Sequence, residues 1–174
     1  WMVKDKRLDE LLNLLKEKNQ EVFAELYDIM HDEIFRYIYS IVRNKEYAQD
    51  LTHDTFIQIY KNAGRYNQKS HAKAWMITIS RNITYMSLRK SNRELLVDYE
   101  IDHPDQGMKE TIHDKILIEK MMTLLNNEER EIIVLHIIEG FAFREISSIM
   151  DIGLSTVLSK YHRSLKKLRN SMEV

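Results

Sequence analysis

FAFREISSIMDIGLSTVLSKYHRSLKKLR, residues 141 to 169, decides how the chain folds. Leu154, Val157, Tyr161, Leu165 and Leu168 recur at intervals of three and four, so in a helix they share one stripe. Ahead of them FAFREISSIM forms a shorter amphipathic segment, and Asp151 to Gly153 is the turn between the two. A short helix, a tight turn and a longer helix is the spacing of a helix-turn-helix. Turning the apolar stripe inward fixes the opposite face: Ser155, Ser159, His162, Arg163 and Lys166, with Thr156 and Lys160 at its edges. Hydroxyls then lie at the N-terminal end, where base edges are read, and cations further along, where phosphates run. A cationic C-terminal helix also arises for dipole reasons alone. Here the turn, the stripe and an acid-free polar face from Leu154 to Asn170 occur together, which favours a reader of the DNA major groove.

The same periodicity runs upstream. Leu8, Leu11, Leu12 and Leu15 mark one amphipathic helix, and Val22, Phe23, Leu26, Met30, Ile34, Ile38 and Ile41 mark a second. A third is expected from about Lys45 to Asn62 with Ala48, Leu51, Phe56 and Ile59 inward. A fourth runs from about Ser70 to Lys90 with Ala74, Trp75, Ile79 and Ile83 inward. Further helices are expected near Thr111 to Leu125 and Asn127 to Ile138. The run EIIVLHII (131 to 138) is β-branched enough for a strand, but a lone strand would leave its ladder unpaired, so it reads as a buried helix.

Composition supports an all-helical chain. Only 4 Gly and 1 Pro among 174 residues leave few turns and no phosphate-cradling glycine loop. The absence of cysteine excludes disulfides, thiolate metal sites and a cysteine nucleophile. With 44 % hydrophobic residues the chain can bury cores, and no apolar run approaches the roughly 20 residues of a membrane span. WMVKDKRLDE lacks the apolar stretch of a signal peptide, so a cytoplasmic protein is expected, and Trp1 ahead of Met2 reads as a cloning remnant.

The net charge of −1 conceals a segregation. From Thr55 to Arg93 there are eight bases (Lys61, Arg65, Lys69, Lys73, Arg81, Arg89, Lys90, Arg93) and no acid. From Glu94 to Asp114 there are seven acids against Lys109 alone, together with Pro104 and Gly107, which marks a linker. Two basic surfaces flank one acidic connector.

DLTHDTF (50 to 56), then AWMITISRNITYMSLRKSNR (74 to 93), then LNNEEREIIVLHIIEGFAFREISSIM (125 to 150) together resemble the extracytoplasmic-function (ECF) subfamily of bacterial RNA polymerase sigma factors. Three motifs in order across a linker, covering nearly the whole chain, are far more specific than a lone helix-turn-helix. The resemblance implies core-polymerase contacts at Gln49, Asp50, His53 and Asp54, with His53 in place of the usual glutamine. It implies a minus-ten-contacting helix with Arg81, Asn82, Arg89, Lys90 and Arg93, preceded by a loop, Asn62 to Ser70, that accepts a flipped base. Asn62, Arg65, Tyr66, Asn67 and Lys69 belong to that loop. A cationic groove with amides and aromatics suits unpaired bases on chemical grounds as well. Trp75 is an attractive stacking residue but is expected in the core, in register with Ile79 and Ile83. Met86, Asn126 and Leu158 depart from the residues usual at their positions, and Leu158 bears on upstream sequence preference.

The expected architecture is all-α: residues 2–93 for polymerase docking and minus-ten recognition and melting, an acidic linker 94–114, and a helix-turn-helix domain 115–172 for the minus-thirty-five element. A free coil of those 21 linker residues spans about 25 Å. The resemblance implies promoter elements about 25 base pairs apart, which lie about 85 Å from each other, so a partner must hold the linker extended. The implied partners are core RNA polymerase, promoter DNA and an anti-sigma factor, often membrane-bound in this family. No cofactor, metal, catalytic residue or small-molecule substrate is expected. Two rivals stand beside this reading. A helix-turn-helix regulator independent of polymerase leaves the acid-free stretch of 39 residues without a use. A helical di-metal enzyme would draw on Asp28 and His31 or Asp50 and His53, but its inward positions are filled by Leu, Ile and Phe.

Overall fold

The computed structural model describes residues 2–17, 19–67, 71–94 and 123–172. The chain divides into two compact units, Trp1–Ile101 and Asp102–Val174. The expected linker 94–114, apart from Glu94, which ends the helix Ala72–Glu94, and nearly all of the helix expected near Thr111 to Leu125 lie outside the described residues.

The first unit packs four helices, α1 (Met2–Leu15), α2 (Gln20–Val42), α3 (Lys45–Asn62) and α4 (Ala72–Glu94). Their ends follow local chemistry. The Asn19 side chain accepts from the backbone of Glu21 at 3.0 Å and starts α2, and the Asn44 side chain accepts from Tyr47 at 2.8 Å and starts α3. Between them the chain reverses on Arg43, held in the left-handed region at φ 54° while its N–H reaches the Tyr39 carbonyl. Leu8, Leu11, Leu12 and Leu15 of α1 are fully or almost fully buried, each stabilising the unit by about 1.5–3 kcal/mol. Leu26, Met30, Ile34, Ile38 and Ile41 of α2 and Ala48, Leu51, Phe56 and Ile59 of α3 are buried as the periodicity requires.

Helix α4 is rotated from its expected register. Its buried face carries Ala72, Met76, Ile77, Ser80 and Thr84, whereas Ala74, Trp75, Ile79 and Ile83 are only half-buried. The physical reason is close packing. Small residues at 80 and 84 let α4 approach its neighbours, and the Thr84 hydroxyl is satisfied within the helix by donating to the Ser80 carbonyl at 2.8 Å. The bulkier stripe is left at the surface. A second fastening joins the Tyr47 hydroxyl of α3 to the Ser87 hydroxyl of α4 at 2.6 Å.

The second unit contains α5 (Asn127–Ile133), which continues as a π-helical turn (Val134–Ile138), then α6 (Phe143–Met150) and α7 (Leu154–Met172). EIIVLHII is therefore helical, but only its first part is buried: Ile137 and Ile138 are 57 % and 50 % exposed. Asn126 caps α5 through a reciprocal box with Glu129. Glu145 accepts from the Ala142 N–H at 2.8 Å and starts α6, an interaction in which Ala142 itself has no side-chain acceptor to return. Asp151, at φ 54°, ends α6 and opens the turn into α7.

Candidate nucleic-acid and polymerase interfaces

Gln49, Asp50, His53 and Asp54 are all exposed on α3, opposite its buried stripe. His53 Nδ1 lies 3.0 Å from the Gln49 carbonyl, which orients the ring along the helix. Ile57, one turn on, is 49 % exposed. Beside this face runs a row of rings that sequence reasoning did not see as a row: Phe23, Tyr27, His31, Phe35 and Tyr39, four residues apart along α2 and all half-buried, so Phe23, like Val22, is not inside as the inward stripe had placed it. His31 stacks between Tyr27 and Phe35 with ring centroids at 5.0 and 6.3 Å, and Tyr27 reaches the His53 ring at 6.4 Å. The spacing of four was visible as a signal. Its mixture of Tyr, His and Phe masked it among the more apolar residues of the same helix.

On the other side of α3 an open groove of about 690 Å³ separates it from α4. Its apolar lining is made by Leu51, Trp75, Ile79, Ile83 and Met86. Asn62, Arg65, Asn82 and Lys90, four of the ten residues expected to touch the minus-ten element, line it together, and Gln58 and Asp54 join them. Asn62 donates to the Gln58 carbonyl at 2.9 Å, so its amide is anchored at the rim. Trp75 is thus a wall of the groove instead of a core residue, a consequence of the rotated α4.

The remaining minus-ten candidates part company. Arg89 and Asn67 are exposed but do not line the groove. Arg81 lies over the Tyr85 ring at 4.7 Å, also off the groove. Tyr66 is corrected outright: it is 3 % exposed, its hydroxyl donates to Asp9 of α1, and it cannot meet a base in this arrangement. Lys73, counted in the basic stretch, is buried in an ion pair with Glu33 at 2.8 Å. Lys69 lies outside the described residues, as does the side chain of Arg93.

In the second unit Val157 and Ser164 are buried, while Leu154, Tyr161, Leu165 and Leu168 are half-buried around them. Ser155, Thr156, Ser159, His162, Arg163 and Lys166 are exposed together on the opposite face of α7. Lys160 differs, because Glu128 at the start of α5 holds its ammonium at 2.7 Å. Two turns further, Lys167 grips both oxygens of Glu129 at 2.9 and 2.7 Å. Burial pushes the Glu129 carboxyl up. The Lys167 hydrogen bonds, the Asn126 backbone N–H and the Lys167 and Arg163 charges more than offset this and hold it below the usual carboxylate range. Two acids of α5 thus fix the edge of the recognition helix, a pairing no periodicity announces.

Among the described residues no three His, Asp or Glu side chains converge as metal ligands. His31 is instead 2.9 Å from Asp32, and His53 faces a backbone carbonyl, so neither pair supports the di-metal rival. No helix among the described residues is long and apolar enough to cross a membrane.

The first unit carries an amide- and cation-lined groove, and the second carries a helix-turn-helix. The sigma-70 region 2 family model matches residues 26–94, and the sigma-70 region 4 model matches residues 115–168. The chain is 24 % identical to the ECF RNA polymerase sigma factor SigX of Bacillus subtilis, over 89 % of this chain and 86 % of that protein. It is 25 % identical to SigW of the same organism, over 91 % of this chain and 92 % of that protein. In fold it is similar to the sigma factor RpoE of Bartonella quintana, solved with the anti-sigma factor NepR. That likeness has a TM-score of 0.73 at 24 % identity, covering 87 % of this chain and 97 % of that one. It is also similar to CnrH, solved with the cytosolic domain of CnrY, with a TM-score of 0.71 at 18 % identity, covering 94 % and 95 %. The chain belongs to the ECF subfamily of the sigma-70 family of RNA polymerase sigma factors.

Proposed function

We propose that this sigma factor directs core RNA polymerase to its promoters by reading duplex DNA with the exposed face of α7 and holding unpaired non-template bases in the groove between α3 and α4. The observation that carries this reading is the convergence of Asn62, Arg65, Asn82 and Lys90 on one groove with an aromatic wall. Amides and cations beside an apolar lining suit an unstacked base better than a paired one. The α7 face, with hydroxyls first and cations after, suits the major groove of the minus-thirty-five element. Gln49, Asp50, His53 and Asp54 form the polymerase-docking face, and the aromatic row of α2 extends it.

Melting then needs no catalysis by this chain. Base capture and phosphate contacts offset the free energy of unpairing, and bond formation belongs to the polymerase. The protein acts in the cytoplasm, where polymerase and promoter are found. Its relatives' complexes with NepR and CnrY support a similar anti-sigma partner here. The polymerase-independent regulator is the less favoured reading, because its DNA-binding unit would not need the groove.

Run-off transcription with purified core polymerase on a genomic promoter pool tests the proposal. Discrete transcripts dependent on the chain are expected. Asp54→Arg should abolish both the transcripts and co-purification with core while leaving the helical content and melting temperature of the free chain intact. Unchanged co-purification would refute the docking face, and tight binding of free chain to duplex promoter DNA would favour the regulator.

A further inference from the structure

Helix α1 lies wholly before residue 26, where the match to sigma-70 region 2 begins, yet it is fastened to the wall of the groove. The fastening passes through Tyr66. This side chain is 3 % exposed, and a hydroxyl so buried needs an acceptor. Asp9 supplies it from 57 positions earlier in the chain. Lys16 holds its ammonium 5.9 Å from the Tyr66 ring. The Tyr66 ring also meets Trp75 at 5.3 Å with the planes at 59°.

Trp75 is itself a wall of the groove, and Arg65, the residue before Tyr66, is another. Between Asp9 and the groove there is therefore one rigid intermediary. Tyr66 follows directly on the 3-10 turn Ala63–Arg65, to which its N–H is bonded at 3.0 Å. Locking the Tyr66 hydroxyl thus fixes both the point from which Arg65 emerges and the surface against which the Trp75 indole rests. The leucines of α1 anchor it in the core, and Arg7 ties it to Glu25 of α2 with contacts of 2.8 and 2.6 Å, so Asp9 is held on a supported element.

We propose that Asp9 is a positioning residue for the strand-capturing groove, acting through Tyr66 to set the places of Trp75 and Arg65. The proposal rests on the reading of the groove as the site of unpaired bases. It differs from a role in stability alone, because the bond sits where its loss moves two groove residues while the leucine core of α1 stays intact. Asparagine at position 9 keeps a carbonyl oxygen for the Tyr66 hydroxyl. Alanine does not.

The experiment has two readouts. Trp1 and Trp75 are the only tryptophans, so in a Trp1→Phe background the fluorescence of the free chain reports Trp75 alone. Asp9→Ala and Tyr66→Phe should each change its emission maximum and raise its quenching by acrylamide, and Asp9→Asn should match the parent. In the reconstituted holoenzyme, affinity is compared for a promoter fragment with a single-stranded non-template minus-ten segment and for the same fragment fully paired. The promoter is one recovered by run-off transcription. Asp9→Ala and Tyr66→Phe should reduce the preference for the unpaired fragment by about three- to tenfold, with core affinity unchanged and Asp9→Asn within about twofold of the parent. Tyr66→Phe keeps the ring and carries the test if Asp9→Ala folds poorly. A preference untouched in both variants, or lost equally in Asp9→Asn, overturns the proposal. If in that case Arg65→Ala and Asn82→Ala still lower the preference, the groove reading survives. If they too have no effect, the groove reading and the positioning role fall together.

Discussion

The groove of the first unit and the exposed face of α7 in the second are built in opposite ways. The α7 face is convex and belongs to one helix, so any polar residue opposite the apolar stripe reaches solvent by geometry alone. The groove is concave and belongs to two helices, and α4 packs against α1, α2 and α3. A base on such a helix can be spent inside. Lys73 is, on Glu33, and Arg81 lies over Tyr85. A count of bases therefore gave the sign of the first unit's surface without identifying which bases compose it.

Lys73 offers the largest effect by which this contrast can be broken. Its side chain is 7 % exposed and that of Glu33 is 14 % exposed. Lys73→Ala removes an ammonium 2.8 Å from a largely buried carboxylate, which should cost about 3 kcal/mol. The melting transition of the first unit should fall by about 10 °C or more. Affinity for unpaired minus-ten DNA, measured where the variant is still folded, should be unchanged. A selective loss of that affinity with normal stability would return Lys73 to the nucleic-acid surface.

Next in size is the upstream face. Arg163→Ala and Lys166→Ala should each weaken binding to the minus-thirty-five element by about 1–3 kcal/mol. A lost phosphate contact should also reduce the slope of log K against log salt by about 0.9. Asn82→Ala in the groove sharpens the comparison, since it removes an amide and no charge. Binding to unpaired minus-ten DNA should fall by about 1–2 kcal/mol with the salt slope preserved. Titrations of holoenzyme across a salt series check all three variants. Equal changes of slope at Asn82 and Arg163 would erase the distinction between a base-holding groove and a phosphate-holding face.

The legibility of the two regions followed the same geometry. The helix-turn-helix, its turn at Asp151 and its solvent face could be read because α7 packs on one side only, and Ser155 to Lys166 lie where a single stripe put them. Helix α4 offered two stripes. The bulkier one, Trp75, Ile79 and Ile83, was the natural inward choice, yet close packing selected the smaller Ser80 and Thr84. Tyr66 was misplaced because its acceptor, Asp9, lies 57 residues away, and no local pattern pairs them. The acids that hold Lys160 and Lys167 were hidden for the same reason: a contact between α5 and α7 is set by the turn of the whole unit. Helices and their caps are local properties. The walls of a groove are not.

The smallest effect probes how firmly that edge of α7 is held. Glu129 is 1 % exposed, and its carboxyl titrates below the usual range because the Lys167 hydrogen bonds, the Asn126 N–H and the neighbouring charges outweigh the cost of burial. With the folded-state value depressed, the unfolded chain binds the proton more readily. The stabilisation is then complete above the ordinary glutamate value near pH 4.3 and is lost as pH falls through the depressed folded value. Glu129→Gln keeps an oxygen for the Asn126 N–H and gives up only the charged pairing. Because Lys167 is 41 % exposed, solvent screening reduces that pairing to about 1 kcal/mol. Chemical denaturation of the second unit should show this difference between parent and variant at pH 7 and should show it shrinking between about pH 4.5 and pH 3. A difference that stayed constant down to pH 3 would mean that Glu129 holds α7 by the geometry of its cap alone, with the charge of Lys167 left available to a phosphate.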